Sequence, residues 1–94
     1  MKIQRLIWLR DIVDKLVIKH AVETYEVEEV FANSPKIRFA QQGDRAGEDV
    51  YLALGRSDAG RYLAVFFIYK LSQEALILSA RDMEEKERRQ YARK

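Results

Sequence analysis

Arg56, Arg61 and Arg81 close or open three apolar runs that read as consecutive strands, and short turns between such runs fix which residues face one another. With Ser57 to Gly60 as one turn and Lys70 to Gln73 as the next, Arg56 stands opposite Arg61, Tyr69 opposite Glu74, and Arg81 beside Tyr62. Strands about 4.8 Å apart then bring three guanidiniums to one end of a sheet, where like charges repel unless something neutralises them. An RNA phosphate would do so, with arginine forks stabilising the charge that builds on phosphorus oxygens in a transition state. Ordinary ion pairs with Asp58, Asp82 or Glu48 would do so equally well. The residue types leave both open.

Arg61 and Arg81 are the expected phosphate-binding pair with Arg56 assisting, and Glu48, Tyr62 and His20 are the candidates to exchange protons, in that order. His20 is the only histidine and ends an apolar-faced helix, a place where a cation against the helix C-terminus is the plainer role. Tyr51, Tyr62 and Tyr91 read first as packing aromatics that could also lend a hydroxyl or a stacking face. Arg88 and Arg89 sit in the run Glu84-Glu85-Lys86-Glu87-Arg88-Arg89, which reads as a solvated helix face with ion pairs and offers two further contacts to RNA. The acidic residues are spread without the convergent spacing of a divalent metal site, so neither metal nor cofactor is expected.

A 94-residue chain has room for one core, so residues 1–94 are expected to form a single domain. Hydrophobic residues at 48% are too many for intrinsic disorder, and charged residues at 34% suit a soluble fold. There is no cysteine, which excludes a disulfide framework and a thiolate site and fits a reducing cytoplasm. The opening Met1-Lys2-Ile3-Gln4-Arg5-Leu6-Ile7-Trp8 is broken by charge, unlike a secretory signal. No stretch approaches the roughly 20 apolar residues of a membrane span. A net charge of +2 raises the expectation of nucleic-acid contact only slightly.

The elements that must hold these residues follow from hydrophobic period. Ile12, Val13, Leu16 and Val17 repeat at helical spacing over Asp11 to His20, with Asp11 placed to cap; Val27, Val30 and Phe31 mark a second helix from Glu23 or Thr24, ended by Asn33-Ser34-Pro35. From Lys36 the period becomes two, with Ile37 and Phe39 on one face of an edge strand. After a polar loop over 41–49, strands are expected at Val50 to Arg56, at Arg61 to Tyr69 in the sheet centre, and at Glu74 to Ala80. Asp82 with Glu85 resembles a capping box for a last, loosely held helix from about Met83 to Tyr91. The fold class is therefore α+β: an N-terminal strand or extended piece, two helices, an antiparallel meander of about four strands, and a C-terminal helix.

The order of these pieces resembles the BrnT toxin family. Trp8 lies in an early segment, Lys19-His20 closes the first helix, Glu29-Val30-Phe31 precedes Pro35, and Gly55-Arg56 follows. Ile77-Leu78-Ser79-Ala80-Arg81 and then Glu87-Arg88-Arg89-Gln90-Tyr91 are similar to the family's ending of Ile-Ser-Ala-Arg, a short gap, and Glu-Arg-x-x-Tyr. Two positions depart from the pattern: no acidic residue directly follows Trp8, and Ala21 stands where glycine is common after the histidine. The resemblance implies a RelE-like fold and a type II toxin that cleaves RNA without a metal. It also implies a hetero-oligomer with a BrnA-like, DNA-binding antitoxin. A non-catalytic interaction module, or an RNA-binding relative that has lost activity, is the alternative; it would keep partner binding without Arg61 and Arg81.

Overall fold

In a computed structural model, which describes residues 1–93, the chain forms β1 (Arg5–Ile7), α1 (Arg10–His20), α2 (Thr24–Ala32), β2 (Lys36–Gln41), β3 (Val50–Arg56), β4 (Tyr62–Tyr69), β5 (Glu74–Asp82) and α3 (Glu85–Ala92). The strands build one sheet of order β1-β5-β4-β3-β2. The α+β class, the two N-terminal helices and the C-terminal helix are as expected, but the sheet has five strands rather than four and is mixed rather than antiparallel. The difference is β1, which runs parallel to β5 with Arg5, Leu6 and Ile7 opposite Glu74, Ala75 and Leu76. Three residues are too few to show a period, so tertiary pairing decides between the strand and the extended piece expected at the N-terminus and adds it to the sheet.

The sheet is covered on both faces. Leu16 of α1 and Val27 and Val30 of α2 pack with Ala53, Leu63, Val65, Phe67, Ala75, Ile77 and Ala80 in the main core. On the opposite face α3 covers a smaller cluster of Leu52, Leu54, Ala64 and Met83, with Tyr62, Phe66 and Tyr91 at its rim. β4 contributes to both clusters, which explains its apolar run and its central position. Gly55 lets α2 approach closely, because a Cβ there would lie 2.8 Å from Val30 Cγ1 and 3.2 Å from Pro35 Cβ.

Both hairpins differ from the expected register by one residue, for the same reason. Each closes as a four-residue turn whose last residue has positive φ, Gly60 at 90° and Gln73 at 67°. Ser57 therefore bonds to Arg61 and Lys70 to Glu74, so that Arg56 opposes Tyr62 and Tyr69 opposes Ala75. A second irregularity lies inside β5: Phe66 pairs with Ser79 but Phe67 with Ile77, leaving Leu78 as an unpaired bulge residue. Residues 79 to 82 are thereby turned over relative to simple alternation, and Arg81 lies opposite Ala64 rather than beside Tyr62.

The helix ends also shift. Leu9, not Asp11, is the N-cap of α1, with Asp11 in the first turn where its charge suits the helix dipole. Glu23 and Glu26 form a capping box on α2, and Glu84 with Glu87 forms the one on α3, two residues later than Asp82 and Glu85 because β5 continues through Asp82. α3 is not loosely held: Glu87 is only 6% exposed and Met83 is buried.

Ala21 ends α1 in the left-handed conformation, φ 52°, while its N–H donates to the Val17 carbonyl and the N–H of Val22 to the Leu16 carbonyl. A Cβ makes that conformation costly, and glycine removes the cost. Ala21→Gly is expected to raise stability by about 0.5–1 kcal/mol, read as a higher urea midpoint with an unchanged denaturant slope; an equal or lower midpoint would show that the cap is unstrained.

Candidate nucleic-acid interface

The alternation of β4 and β5 divides the arginines between the two faces. Arg61 lies on the α1–α2 side and its five N–H donors are fully engaged. Nε donates to Asp82 Oδ1 at 2.7 Å, Nη1 to the Ala21 carbonyl at 2.8 Å and to Glu26 Oε1 at 3.1 Å, and Nη2 to the His20 carbonyl at 3.0 Å and to Asp82 Oδ2 at 3.2 Å. It ties the end of α1, the start of α2 and the end of β5 into one corner. His20 belongs to this corner, and its charge, after the hydrogen bond and charge of Arg61, helps hold the Asp82 carboxyl below the usual range.

Arg81 faces the other way. Its Nη1 and Nη2 form a bidentate pair with Glu87 at 2.7 and 2.9 Å, and the guanidinium lies over the Phe66 ring. Glu87 also accepts from the Glu84 backbone N–H at 2.8 Å, so one carboxylate caps α3 and anchors it to the sheet. The hydrogen bond from Arg81 is the main reason that the Glu87 carboxyl is held below its ordinary value.

Beside this pair lies a cluster of different character. The guanidinium carbon of Arg88 is 4.0 Å from the centroid of the Tyr62 ring and that of Arg56 is 4.8 Å away. Tyr91 meets Tyr62 edge to face at 6.0 Å, and Lys36 Nζ lies 5.9 Å from the Tyr91 ring. Among the described residues neither Arg56 nor Arg88 forms an ion pair. An adjoining cleft of about 510 Å³ is lined by Asn33, Arg56, Ser57, Asp58, Gly60 and Tyr91. Unpaired guanidiniums on an aromatic ring, next to an open cleft, can take an anion and a flat base together.

Of the residues singled out from the sequence, Arg56, Tyr62 and Arg88 thus come together, with Arg81 next to them on the same face. Arg61 and His20 come together on the opposite face, so Arg56, Arg61 and Arg81 share a sheet end without converging on one point. Arg89 turns outward to Glu85 at 3.3 Å. Glu48 precedes β3, whereas Arg56 ends it, which puts Glu48 at the far end of the sheet, roughly 20 Å away at about 3.4 Å per residue. One feature of the cluster escaped sequence reasoning: Lys36, at the start of a strand distant in sequence. Tyr91, read from the sequence first as packing and second as a stacking face, meets it only through the approach of α3 to β2 and β3. Among the described residues no group of three or more His, Cys, Asp or Glu side chains is placed to hold a metal ion, and no helix is long and apolar enough to cross a membrane.

Residues 9–87 match the family model described as "Ribonuclease toxin, BrnT, of type II toxin-antitoxin system". Among solved structures, the chain resembles the ribonuclease toxin BrnT of Brucella abortus, with a TM-score of 0.62 at 19% identity over 86% of this chain and 97% of that one. No curated protein matches the sequence.

The Glu87 anchor has a pH signature. Its lowered pKa means that the ion pair contributes fully above the ordinary glutamate value of about 4.3 and is lost as pH falls through the lower folded value. Glu87→Gln is expected to cost about 1–3 kcal/mol at pH 7, with the gap from wild type closing in acid. Denaturation midpoints from pH 7 to pH 2 measure this, and a gap independent of pH would show that the charge is immaterial.

Proposed function

The chain belongs to the BrnT family of ribonuclease toxins of type II toxin-antitoxin systems, and we propose that it is a metal-independent endoribonuclease that binds RNA on the α3 side of its sheet, at Arg56, Tyr62 and Arg88. The observation that carries this reading is the pair of guanidiniums over Tyr62, both without a carboxylate partner among the described residues. Arg61 and Arg81 carry charges already balanced by Asp82 and Glu26 and by Glu87. In this reading they are positioning residues: Arg61 sets the corner that ends β5, and Arg81 holds α3, and with it Arg88 and Tyr91, against the sheet.

The chemistry needs no group that the cluster lacks. The ribose 2′-hydroxyl attacks the adjacent phosphorus, the bond to the 5′-oxygen of the next nucleotide breaks, and the products are a 2′,3′-cyclic phosphate and a 5′-hydroxyl. Arg56 and Arg88 hold the phosphate and stabilise the charge that grows on its non-bridging oxygens. The Tyr62 hydroxyl lies with them and exchanges the protons, which leave the 2′-oxygen and reach the departing 5′-oxygen. Tyr91 offers its ring to a base beside the cleft. His20 and Glu48 stand off this face and take no part.

The element order, two helices before the sheet and a terminal helix on its other face, supports a RelE-like reading of the fold. The antitoxin that a type II system implies is, in this proposal, BrnA-like, and an RNA substrate makes the cytoplasm the place of action.

Purified chain is expected to cut a structured RNA in EDTA, and Arg56→Ala/Arg88→Ala to cut it at least 100-fold more slowly with an unchanged circular dichroism spectrum. Undiminished cleavage by the folded double variant would sink the site assignment. Cleavage by wild type only when magnesium is added would refute metal independence.

A further inference from the structure

β2 is the last strand of the sheet and pairs only with β3, so one long edge of backbone N–H and C=O groups is open. The two faces of this edge differ sharply. On the α1–α2 side Phe39 is 56% exposed, resting edge to face on Tyr51 at 5.9 Å. Beside it a trough of about 860 Å³ crosses the sheet, walled by Trp8, Phe31, Pro35, Ile37 and Tyr51. On the α3 side the same strand carries Lys36 and Arg38, opposite Leu54 and Leu52. Neither forms an ion pair among the described residues. Lys36 Nζ has only the Gln90 carbonyl at 3.5 Å.

A second copy of the chain does not suit this edge. Pairing β2 with β2 sets Lys36 and Arg38 of one copy on the same face as Lys36 and Arg38 of the other, and like charges across strands are destabilising. The same two cations attract acidic side chains. A strand of period two that meets this edge in register presents one set of residues to Lys36 and Arg38 and the other set to Ile37, Phe39 and the trough. The matching sequence alternates acidic and apolar residues over about four positions, facing Lys36 to Phe39, because a bulge at Ala40 breaks the alternation of β2 beyond them.

We infer that the β2 edge is the docking site for an extended, alternately acidic and apolar segment of the antitoxin, which adds to the sheet as a sixth strand beyond β2. The inference rests on family membership for the existence of that partner. Its regulatory consequence rests on the RNA site proposed above. The acidic side chains of the added strand come to lie beside Lys36, whose Nζ is 5.9 Å from the ring of Tyr91. Negative charge is thereby set at the border of the Arg56–Tyr62–Arg88 cluster, where it opposes the approach of a phosphate.

The test is hydrogen exchange on the full-length chain, free and in its purified complex with the antitoxin protein, together with Phe39→Asp. Phe39 lies outside the proposed RNA machinery. In the complex, amides of residues 36–41 are expected to exchange at least tenfold more slowly than in the free chain. Phe39→Asp is expected to weaken antitoxin binding at least tenfold while RNA cleavage by the free variant stays at the wild-type rate. Equal exchange at β2 in the free and bound chain overturns the inference, and so does protection that arises in the free chain by self-association. The RNA reading fails separately: a free wild-type chain that cleaves nothing while β2 is protected in the complex leaves the docking edge standing and removes the ribonuclease site.

Discussion

The end of β5 is the point on which the rest of the molecule depends. Arg81 and Asp82 are adjacent, and because strand side chains alternate, one must face α3 and the other the α1–α2 corner. Arg81 binds Glu87 and so fixes the last helix; Asp82 binds Arg61 and so fixes the first two. Both pairs are hydrogen-bonded as well as charged; Glu87 is largely buried, at 8% side-chain exposure, whereas Asp82 is 67% exposed and the buried carboxylate that meets Arg61 is Glu26, at 13%. Ion pairs of this kind hold geometry more than they add stability, since removing charge from water offsets most of their attraction. Here they set where three helices meet one sheet.

The direction of that division comes from Leu78. Ala75 and Ile77 face the main core, and strict alternation would send Ser79 and Arg81 there too. The bulge instead returns Ala80 to the core and delivers Arg81 to the α3 face, where it can reach Glu87. A one-residue irregularity thus decides that the unpaired positive cluster on the α3 side is built from Arg56 and Arg88, with the charge of Arg81 balanced by Glu87 beside it. The turn at Ser57 to Gly60 acts in the same sense. By pairing Arg56 with Tyr62 instead of Arg61, it puts a guanidinium next to a ring of its own face and away from a like charge.

Partition between faces also separates the duties of the molecule. The α1–α2 side carries the main core, the Arg61 corner and the apolar trough; the α3 side carries the unpaired cations and half-buried rings. β2 alone shows both characters at its free edge, since Phe39 looks to one side and Lys36 and Arg38 to the other. That position makes it the natural boundary between a surface suited to RNA and one suited to protein.

Hydrophobic period determined the helices α1 and α2, the four longer strands and the central place of β4, because the spacing of apolar residues in each leaves its mark in residue order, even in β2, where only Ile37 is half-buried. The ordered motifs from Trp8 to Tyr91 determined the family. Residue order left the N-terminal piece as a strand or an extended segment and could not reveal that β1 joins the sheet parallel to β5. Nor could it reveal the positive φ at Gly60 and Gln73 or the bulge at Leu78, which depend on how neighbouring strands twist and pair. Arg61 and Arg81 were legible as charges that need partners, but which partner each found was a matter of which face it met. Side-chain direction in a sheet reverses with every single-residue shift of register, so tertiary pairing alone decided which arginines are neutralised and which are left for an anion.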